Sequence, residues 1–402
     1  MDPLVLAVFG LVYLGMILGR LPGLGLDRTG VALLGALILL AGEREFLAGL
    51  GRAVDLPTLA LLFGLMVVSA QLRLGGFYTE VVRRLAGARV SPPALLGLLT
   101  LAAGVLSALL ANDIVCLAMA PMLVEAAARR GLDPRPFLLS LALAANVGSA
   151  ATLIGNPQNM LIGQVLHLDF GAYLGLAALP VALGLLVVWA VVAAQWRGAW
   201  TAAGPAPVAP APEFNRWQST KGLVVLGGLV AAFLWGPWPR EVAALAAAGL
   251  LLCSRRMRSR EMLALVDWQL LVLFIGLFVV NHAFQTAGGL GLVGRLLPAG
   301  GAPGTGGLFV VTTLLSNLVS NVPAVMLLLP WAQGPLAGPA LALASTLAGN
   351  LLLVGSIANL IVADQASRLG VSLGWRDHAR AGAPVTLVTL FLAWGWLGLV
   401  GG

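Results

Sequence analysis

Long runs of apolar residues, each nearly free of charge, recur along the whole chain and constrain its fold more than any other feature. Only 10% of the 402 residues are charged, while 59% are hydrophobic, and the mean hydropathy is +0.97. A soluble domain of this length needs far more charge to solvate its surface. The sequence therefore predicts an all-α polytopic protein whose partner is the lipid bilayer.

Ten of the apolar runs have the length and composition of membrane crossings, whereas the stretches 92–126 and 303–332 do not fit as straight helices. The N-terminal run lacks the basic leading residues and the cleavage site of a signal peptide, so it is interpreted as the first crossing. The predicted crossings are 4–19, 29–42, 54–72, 136–166, 170–195, 222–236, 240–253, 266–285, 338–363 and 381–400.

The basic residues of the predicted loops divide unequally between the two sides of the membrane. The side that holds both termini carries 4 of the 23 Lys and Arg residues, and the other side carries 19. The positive-inside rule makes the second side cytoplasmic. The sequence therefore predicts a multi-pass protein of the cytoplasmic (inner) membrane with both termini extracytoplasmic. The net charge of +7 follows from these loop arginines, and no nucleic-acid partner is expected.

The chain repeats itself at three places. Each half contributes five predicted crossings, and an odd number inverts the second half relative to the first, which is the plan of many secondary transporters. The paired segments are "VDLPTLALLFGLMVVS" (54–69) with "VDWQLLVLFIGLFVVN" (266–281), "SALLANDIVCLAMAP" (107–121) with "SNLVSNVPAVMLLLP" (316–330), and "GSAATLIGNPQ" (148–158) with "GSIANLIVADQ" (355–365).

The repeat also predicts the domain organisation. A first inverted repeat is expected over 1–196 and a second over 222–402. Between them, the segment 197–221 contains "TAAGPAPVAPAPEF", whose Pro and Ala content is typical of a flexible linker. With the orientation given above, this linker is cytoplasmic.

Four places are predicted to interrupt the helices. As one straight helix the stretch 92–126 would be roughly 46 Å long, well beyond a ~30 Å hydrocarbon core, so it is predicted to fold as a re-entrant hairpin. The stretch 303–332 is predicted to form a second hairpin from the opposite side. Gly and Pro residues break the crossing at 148–159, and its repeat partner is expected to break at 355–365. Such backbone is tolerated at membrane depth where it lines a cavity, so the two tips and two broken helices are expected to converge on one site.

Asp113 is the one acidic residue predicted inside a membrane segment away from its ends or a broken helix. Its burial costs at least ~2.5–3.5 kcal/mol on insertion scales, so a functional role is the default interpretation. The alternative is a protonated acid that caps a hairpin arm. Between a sodium ligand and a proton carrier, the sequence leaves both roles open.

Amide and hydroxyl side chains make up the rest of the candidate site. Asn offers both a donor and an acceptor, which suits a hydroxylated solute or the shell of a sodium ion, whereas Asn146 and Asn350 are interpreted as helix-to-helix hydrogen bonds. A coupling sodium is predicted at Asn112, Asp113 and the 148–158 loop, with a proton as the alternative and no other cofactor. The candidate substrate- and ion-binding residues are Ser107, Asn112, Asp113, Thr152, Asn156, Gln158, Asn159, Ser316, Asn317, Ser320, Asn321, Ser356 and Asn359.

At these residues the sequence resembles the ion transporter superfamily, which includes divalent anion/sodium symporters, ArsB-type arsenite permeases, NhaD-type antiporters and plant silicon-efflux transporters. The stretch "ANDIVCLAMAP" followed by "PFLLSLALAANVGSAATLIGNPQNMLIG" is similar to the arsenite and silicon-efflux branch. The symporter branch typically carries Ser-Asn-Thr at both tips, whereas this chain has Ala111-Asn112-Asp113 and Ser320-Asn321-Val322. The resemblance implies a scaffold and a transport domain that moves like an elevator, commonly in a homodimer.

The predicted function is ion-coupled secondary transport, with efflux of a small metalloid oxyacid such as arsenous, antimonous or silicic acid. Sodium-coupled symport of a di- or tricarboxylate or an inorganic anion, or sodium/proton antiport, is the alternative. An intramembrane enzyme is disfavoured, because the sequence offers no HExxH motif and only one well-buried acid. No Walker motif points to direct use of ATP.

Overall fold

The computed structural model describes residues 2–19, 21, 23–42, 50–201, 212–296 and 304–401. Within these ranges the secondary structure is α-helical, with two short 3-10 helices and one isolated bridge. Six of the described helices are long and apolar enough to cross a membrane, and five shorter apolar helices accompany them. The predicted all-α polytopic fold is therefore confirmed.

The first half contains five crossings and one hairpin. The hairpin is formed by the sixth and seventh helices, and the eighth and ninth helices together make one broken crossing. The helices of this half are α1 (Pro3–Leu18), α2 (Arg28–Gly42), α3 (Leu50–Ala53), α4 (Leu56–Leu74), α5 (Phe77–Gly87), α6 (Pro92–Leu109), α7 (Asn112–Arg129), α8 (Pro134–Ser149), α9 (Pro157–Val165) and α10 (Phe170–Gln195).

The second half repeats this order and again holds five crossings and one hairpin, so the two predicted re-entrant hairpins and two broken helices are confirmed. Its helices are α11 (Arg216–Trp235), α12 (Arg240–Leu252), α13 (Ser259–Leu263), α14 (Trp268–Thr286), α15 (Gly289–Leu296), α16 (Thr305–Val319), α17 (Asn321–Leu328), α18 (Ala337–Ala348), α19 (Ile357–Arg368) and α20 (Trp375–Gly401).

The described residues cover only part of the predicted linker 197–221. Residues 202–211 lie outside the described residues, and α11 begins at Arg216, inside the predicted linker. The domain boundaries at 196 and 222 stay predictions.

The long helices α4 and α14 begin in the same way because the same residue starts both. The Asp55 carboxylate accepts a hydrogen bond from the backbone N–H of Thr58 at 2.9 Å, and the Asp267 carboxylate accepts one from Leu270 at 2.9 Å. An aspartate in this position satisfies a backbone donor that the first helical turn leaves without a partner. The repeat seen in "VDLP" and "VDWQ" is thus a repeated helix start.

Two equivalent helix–helix contacts join the halves, one between α4 and α12 and the other between α14 and α2. A Cβ atom on Gly64 of α4 would lie 2.7 Å from the backbone carbonyl carbon of Ala244 in α12. A Cβ on Gly276 of α14 would lie 2.7 Å from the same atom of Ala32 in α2. Small residues allow helix backbones to approach this closely in a membrane, where packing drives association. In each of these two contacts, one half provides the glycine and the other half provides the alanine.

The outer surface and the interior divide as expected for a protein in a bilayer. Large apolar side chains point outwards from the long helices, among them Leu186 at 59%, Leu387 at 65% and Phe391 at 76% exposure. The polar amides of the broken helices are buried instead, with Asn159 and Asn350 both at 0%. Lipid therefore meets apolar side chains, while the hydrogen-bonding groups face one another inside.

Two polar contacts tie α12 to the first broken helix on the face that bears the chain termini. The Arg240 guanidinium donates to the carbonyl oxygen of Gly163 at 2.6 Å, and the Gln164 amide donates to the Glu241 carboxylate at 3.1 Å. Arg28 begins α2 as Arg240 begins α12, yet it donates to Met16 within its own half. We call the Arg240–Gly163 and Gln164–Glu241 contacts the terminal-face latch.

Candidate functional site

Each hairpin turns at a single short break between its two helices. In the first hairpin, α6 ends at Leu109 and α7 begins at Asn112, within the predicted tip 107–113. In the second, α16 ends at Val319 and α17 begins at Asn321. Both returning helices therefore begin with the asparagine that the sequence comparison had paired.

The two broken helices correspond to each other in a different register from the predicted one. The first break spans 150–156 and the second spans 349–356, so the predicted second break at 355–365 is wrong. Asn156 caps α9 by accepting from the Asn159 N–H at 2.9 Å, and Ser356 caps α19 by accepting from the Ala358 N–H at 3.2 Å. An amide and a hydroxyl perform the same capping task, which residue identity alone conceals.

Asn159 and Asn359 hold the two breaks in shape. The Asn159 side-chain amide donates to the carbonyl oxygens of Thr152 at 3.0 Å and Ser149 at 3.4 Å. The Asn359 amide donates to Gly349 at 3.0 Å and Leu352 at 3.3 Å. These bonds satisfy backbone acceptors of the breaks at membrane depth, where an unpaired carbonyl is costly, and the Leu352 carbonyl also accepts from the Gly355 N–H at 2.9 Å. Both asparagines are therefore bound to the backbone that shapes the site.

Asn146 joins the first hairpin tip to the second broken helix. Its side-chain oxygen accepts from the Asn112 amide at 3.0 Å and from the Ser356 hydroxyl at 2.9 Å. Its amide nitrogen donates to the side-chain oxygens of Asn350 at 2.8 Å and Asn359 at 3.1 Å. The interpretation of Asn146 and Asn350 as helix-to-helix hydrogen bonds is confirmed, and Asn146 also connects four predicted or neighbouring site residues.

Thr346 plays the matching part for the first broken helix. Its hydroxyl accepts from the Asn156 amide at 3.1 Å and from the Gln158 amide at 3.2 Å, and it donates to the Asn159 side-chain oxygen at 3.3 Å. Each half thus contributes one side chain that organises the break of the other half, Asn146 to the second and Thr346 to the first. The sequence interpretation missed Thr346, because it paired Asn146 with Asn350 instead.

Several buried oxygen atoms at the hairpin tips have no hydrogen-bond partner in the described part of the chain. They are the Ser107 hydroxyl and Asn112 side-chain oxygen of the first hairpin, and the Ser316 hydroxyl and Asn321 side-chain oxygen of the second. The Asn317 side-chain oxygen is a fifth. Unpaired buried polar atoms are costly and rare, so their occurrence at equivalent positions of both tips indicates a ligand that supplies the partners.

The remaining predicted residues are Asp113 and Ser320 at the tips and Thr152 in the first break, and they differ in their contacts. Asp113 is the second residue of α7 and is half-buried, and no side-chain hydrogen bond to it forms among the described residues. The Thr152 hydroxyl donates to the Ala108 carbonyl oxygen, and the Asn112 N–H donates to the Gly155 carbonyl oxygen at 3.1 Å. These two bonds fasten the first tip to the first break. Ser320, at φ 77°, forms the turn of the second tip.

Two further residues that the sequence interpretation missed brace the breaks from outside. The Tyr173 hydroxyl donates to the Ala150 carbonyl oxygen at 2.8 Å. The His378 Nε2 atom lies 3.0 Å from the Asn350 carbonyl oxygen. Both residues sit in the first turn of the helix that follows a broken helix, α10 and α20. The sequence could have indicated them only by their position, because each is the fourth residue of the helix that follows a break.

An ion pair marks the entrance to the first broken helix. The Asp133 carboxylate caps α8 by accepting from the Arg135 N–H at 2.9 Å and also accepts from the Arg135 guanidinium at 2.7 Å. Burial raises the pKa of Asp133, but the hydrogen bonds and charge of Arg135 outweigh it, so that this pKa lies below its ordinary value. The carboxylate is therefore held in its charged form.

Two cavities of similar size, which we call vestibules, open on opposite faces of the protein. The first, about 470 Å³, opens on the face of the termini and is lined by Asn281, Gln285 and Pro330 among others. The second, about 420 Å³, opens on the opposite face and is lined by Arg73 and Pro121, which occupy the repeat positions of Gln285 and Pro330. The repeat thus places one vestibule on each of the two faces.

Comparison with known proteins agrees with this architecture. The family described as "Citrate transporter" (CitMHS) matches residues 11–348, which is most of the chain. The chain belongs to the citrate transporter family. It is a multi-pass membrane transporter, as the resemblance to the ion transporter superfamily implied.

Individual relatives extend the comparison. The transporter is 30% identical to the silicon efflux transporter LSI3 of Oryza sativa subsp. japonica over 460 residues, covering 94% of each chain. It is 29% identical to the inner membrane protein YbiR of Escherichia coli over 340 residues, covering 81% of this chain and 83% of that one. The solved YdaH transporter of Alcanivorax borkumensis superposes with a TM-score of 0.59 at 17% identity, covering 99% and 97% of the two chains, which supports the fold.

Proposed function

We propose that this transporter moves a small, neutral, hydroxyl-rich oxyacid, such as arsenous, antimonous or silicic acid, and couples that movement to a cation. The observation that carries the proposal is the set of unpaired buried oxygens at the two hairpin tips. Asn112 and Asn321 each present a side-chain oxygen that can only accept hydrogen bonds. A ligand that fits must therefore donate hydrogen bonds or carry positive charge.

A neutral oxyacid meets this requirement directly. Each of its hydroxyl groups donates one hydrogen bond and accepts others, so it can pair with carbonyl-type oxygens and with serine hydroxyls at the same time. A di- or tricarboxylate offers only acceptors at neutral pH and would face unpaired oxygens. No Lys or Arg side chain forms a hydrogen bond with the tip residues among the described residues, so no basic group offsets that repulsion.

The same oxygens also suit a coupling cation, for which oxygen ligands are required. We place that cation at the first tip, near Asn112, Asp113 and the 148–158 loop, because Asp113 supplies the only acidic side chain there. Efflux of the kind named for the rice relative is the direction we propose. Sodium-coupled carboxylate or anion symport, which the family description favours, is the second candidate.

The test is flux into proteoliposomes with arsenite, antimonite, silicic acid, citrate, succinate and sulfate, each under an imposed sodium or proton gradient. We expect transport of the metalloid acids. Asn112→Leu and Asn321→Leu should raise KM roughly two- to tenfold, which corresponds to one lost hydrogen bond to the solute each, and Asn112→Leu also removes the bond to Asn146. Gln71→Leu is the matched control, since the Gln71 side-chain oxygen is also buried and unpaired but lies on α4.

Two results would contradict the proposal. Sodium-dependent uptake of a carboxylate or sulfate without metalloid flux would establish the second candidate. Equal effects of the Gln71 variant and the tip variants would show that the tip oxygens have no specific part in solute binding.

A further inference from the structure

The two halves brace their breaks with different chemistry at equivalent positions. In the first half, the Tyr173 hydroxyl donates to the Ala150 carbonyl oxygen and lies 3.3 Å from the Asn159 amide nitrogen. In the second, His378 Nε2 lies 3.0 Å from the Asn350 carbonyl oxygen and 3.5 Å from the Asn359 amide nitrogen. The geometry is repeated, while a phenol is replaced by an imidazole.

The replacement matters because only one of these groups changes charge near neutral pH. A tyrosine hydroxyl ordinarily stays protonated up to about pH 10, whereas an imidazole ordinarily titrates between about pH 5 and pH 8. His378 is 1% exposed, yet it lies in the first turn of α20, beside Gly374, Trp375 and Arg376, which are exposed. It is therefore buried against the break but close to the aqueous boundary.

The hydrogen bonds settle which nitrogen of His378 is free to bind a proton. The two amide hydrogens of Asn359 already donate to Gly349 and Leu352, so Nε2 is left to pair with the Asn350 carbonyl oxygen. A carbonyl only accepts, and Nε2 must therefore carry a hydrogen. Nδ1 is then the basic nitrogen of the neutral ring.

Hydrogen bonds connect this ring to the hairpin tip through Asn350, which uses its backbone carbonyl for one bond and its side chain for the next. His378 donates to the backbone of Asn350, whose side chain accepts from Asn146 at 2.8 Å. Asn146 in turn accepts from Asn112 at 3.0 Å. Bonds to charged groups are about twice as strong as neutral ones, so a charge on His378 changes the first link of this chain.

Few other charges act on this ring. Of the elements packed against α20, α18 and the second break carry no ionisable side chain, α10 carries only the phenol of Tyr173, and α8 carries Arg135, which is paired with Asp133. On α19, Asp364 pairs with Arg368 at 2.9 Å. The ionisable neighbours on α20 itself are Arg376, Asp377 and Arg380, of which Asp377 accepts from the Gly374 N–H.

We propose that His378 binds a proton during the transport cycle and passes its protonation state to the solute site through Asn350 and Asn146. The proton comes from water at the near face, bonds to Nδ1, and returns to water, so no other bond is made or broken. This inference rests on the proposed function, because it adds a proton-dependent control of solute binding at the same site, beside the coupling cation at the first tip. The second half thereby holds a proton-binding group where the first half holds a fixed donor.

Two variants separate proton binding from simple bracing. His378→Gln keeps a donor of similar reach, and His378→Tyr copies the first half. We expect the KM for arsenite in proteoliposomes to change on the order of tenfold between about pH 5 and pH 8 in the unmodified protein, equivalent to one unit of differential proton affinity. Both variants should transport, and their KM for arsenite should not change with pH. The control His282→Gln, in the vestibule on the face of the termini, should keep the pH dependence of the unmodified protein.

A second measurement needs no solute, so it still decides the proton site if metalloid transport itself fails. In protein labelled with ¹⁵N-histidine, the chain offers three imidazoles, and the His378→Gln spectrum identifies the signal of His378. We expect this signal to titrate reversibly, and Asn146→Ala to alter its titration. A His378 signal that does not titrate, or an unchanged pH profile in the folded Gln and Tyr variants, would overturn the proposal.

Discussion

The two broken helices follow one plan but are packed differently. Every residue of the first break is buried, including Ile154 at 0% exposure, whereas its counterpart Val354 in the second break is 53% exposed. The first break is also fastened to its hairpin tip through Asn112 and Thr152. The first half encloses its break in protein, whereas part of the second break is exposed at the surface. Two segments with the same topology can therefore be held with different firmness.

The hairpin tips also differ. The first tip turns at Ala111 with φ −54° and carries Asp113, while the second turns at Ser320 with φ 77° and carries Val322. A non-glycine residue in the left-handed region stores strain of about 1–3 kcal/mol, which persists only where the surrounding structure holds the residue in place. Charge and tight packing therefore belong to the first half, and strain and the titratable His378 to the second.

The largest expected effect tests the charge at the first tip. Asp113→Asn keeps the shape of the side chain but removes its charge, so gradient-driven accumulation of solute should fall to simple equilibration. Val322→Asn, at the equivalent place of the second tip, is the control and should leave accumulation intact. The measurement is the steady-state ratio of internal to external solute in proteoliposomes. Full accumulation by the Asp113 variant would reduce this carboxyl group to a structural cap.

The next effect tests the tight packing of the first half. Gly148 lies where α8 crosses α6, and a Cβ atom there would lie 2.6 Å from the Gly104 carbonyl carbon. The second half has Ala348 at this position. Gly148→Ala should destabilise the protein by about 1–3 kcal/mol, as overpacking does. Thermal unfolding in detergent measures this, with Gly227→Ala as the control because its added methyl group meets no atom within 4 Å. Equal melting temperatures of the Gly148 and Gly227 variants would disprove the close contact between α8 and α6.

A smaller effect is expected at the start of α8. Asp133→Ala removes a helix cap and should cost about 0.5–2 kcal/mol, whereas Gln333→Ala, before α18, should cost little. Because the folded pKa of Asp133 lies below its ordinary value, the stabilisation is present above the ordinary range of an aspartate and is lost as pH falls below it. The difference in melting temperature between variant and parent should therefore shrink below about pH 4. A difference that grows under acid would contradict this assignment.

The smallest effect concerns the terminal-face latch. Arg240→Gln should destabilise the conformation in which the latch is formed by about 1 kcal/mol. This lowers the population of that conformation, relative to the opposite one, by roughly a factor of five. If the inverted repeat exchanges roles during transport, Arg28 should contact the end of α19 near Asp364 in the opposite conformation. Disulfide formation between Arg28→Cys and Asp364→Cys, in a protein whose Cys116 and Cys253 are replaced by Ser, measures that state. Cross-linking should rise when Arg240→Gln is added, and an unchanged yield would argue against the exchange.

Much of this architecture could be predicted from the sequence, because apolar runs and paired Asn residues report directly on crossings and hairpin tips. The position of the second break could not be predicted, because the alignment paired the identical "GS" at 148 and "GS" at 355. The residues that correspond in the structure, Asn156 and Ser356, both cap a helix but are not identical. His378 and Tyr173 share even less as residues. Their common task depends on where α10 and α20 begin, and only the three-dimensional arrangement provides that.

The two vestibules have an electrical consequence. Water that enters both of them conducts, so the voltage across the membrane falls over the protein that separates the cavity of about 470 Å³ on one face from that of about 420 Å³ on the other. Moving one elementary charge through the full voltage is worth about 2.3 kcal/mol per 100 mV. An ion that passes from one cavity to the other therefore gains this energy over a path shorter than the full thickness of the bilayer.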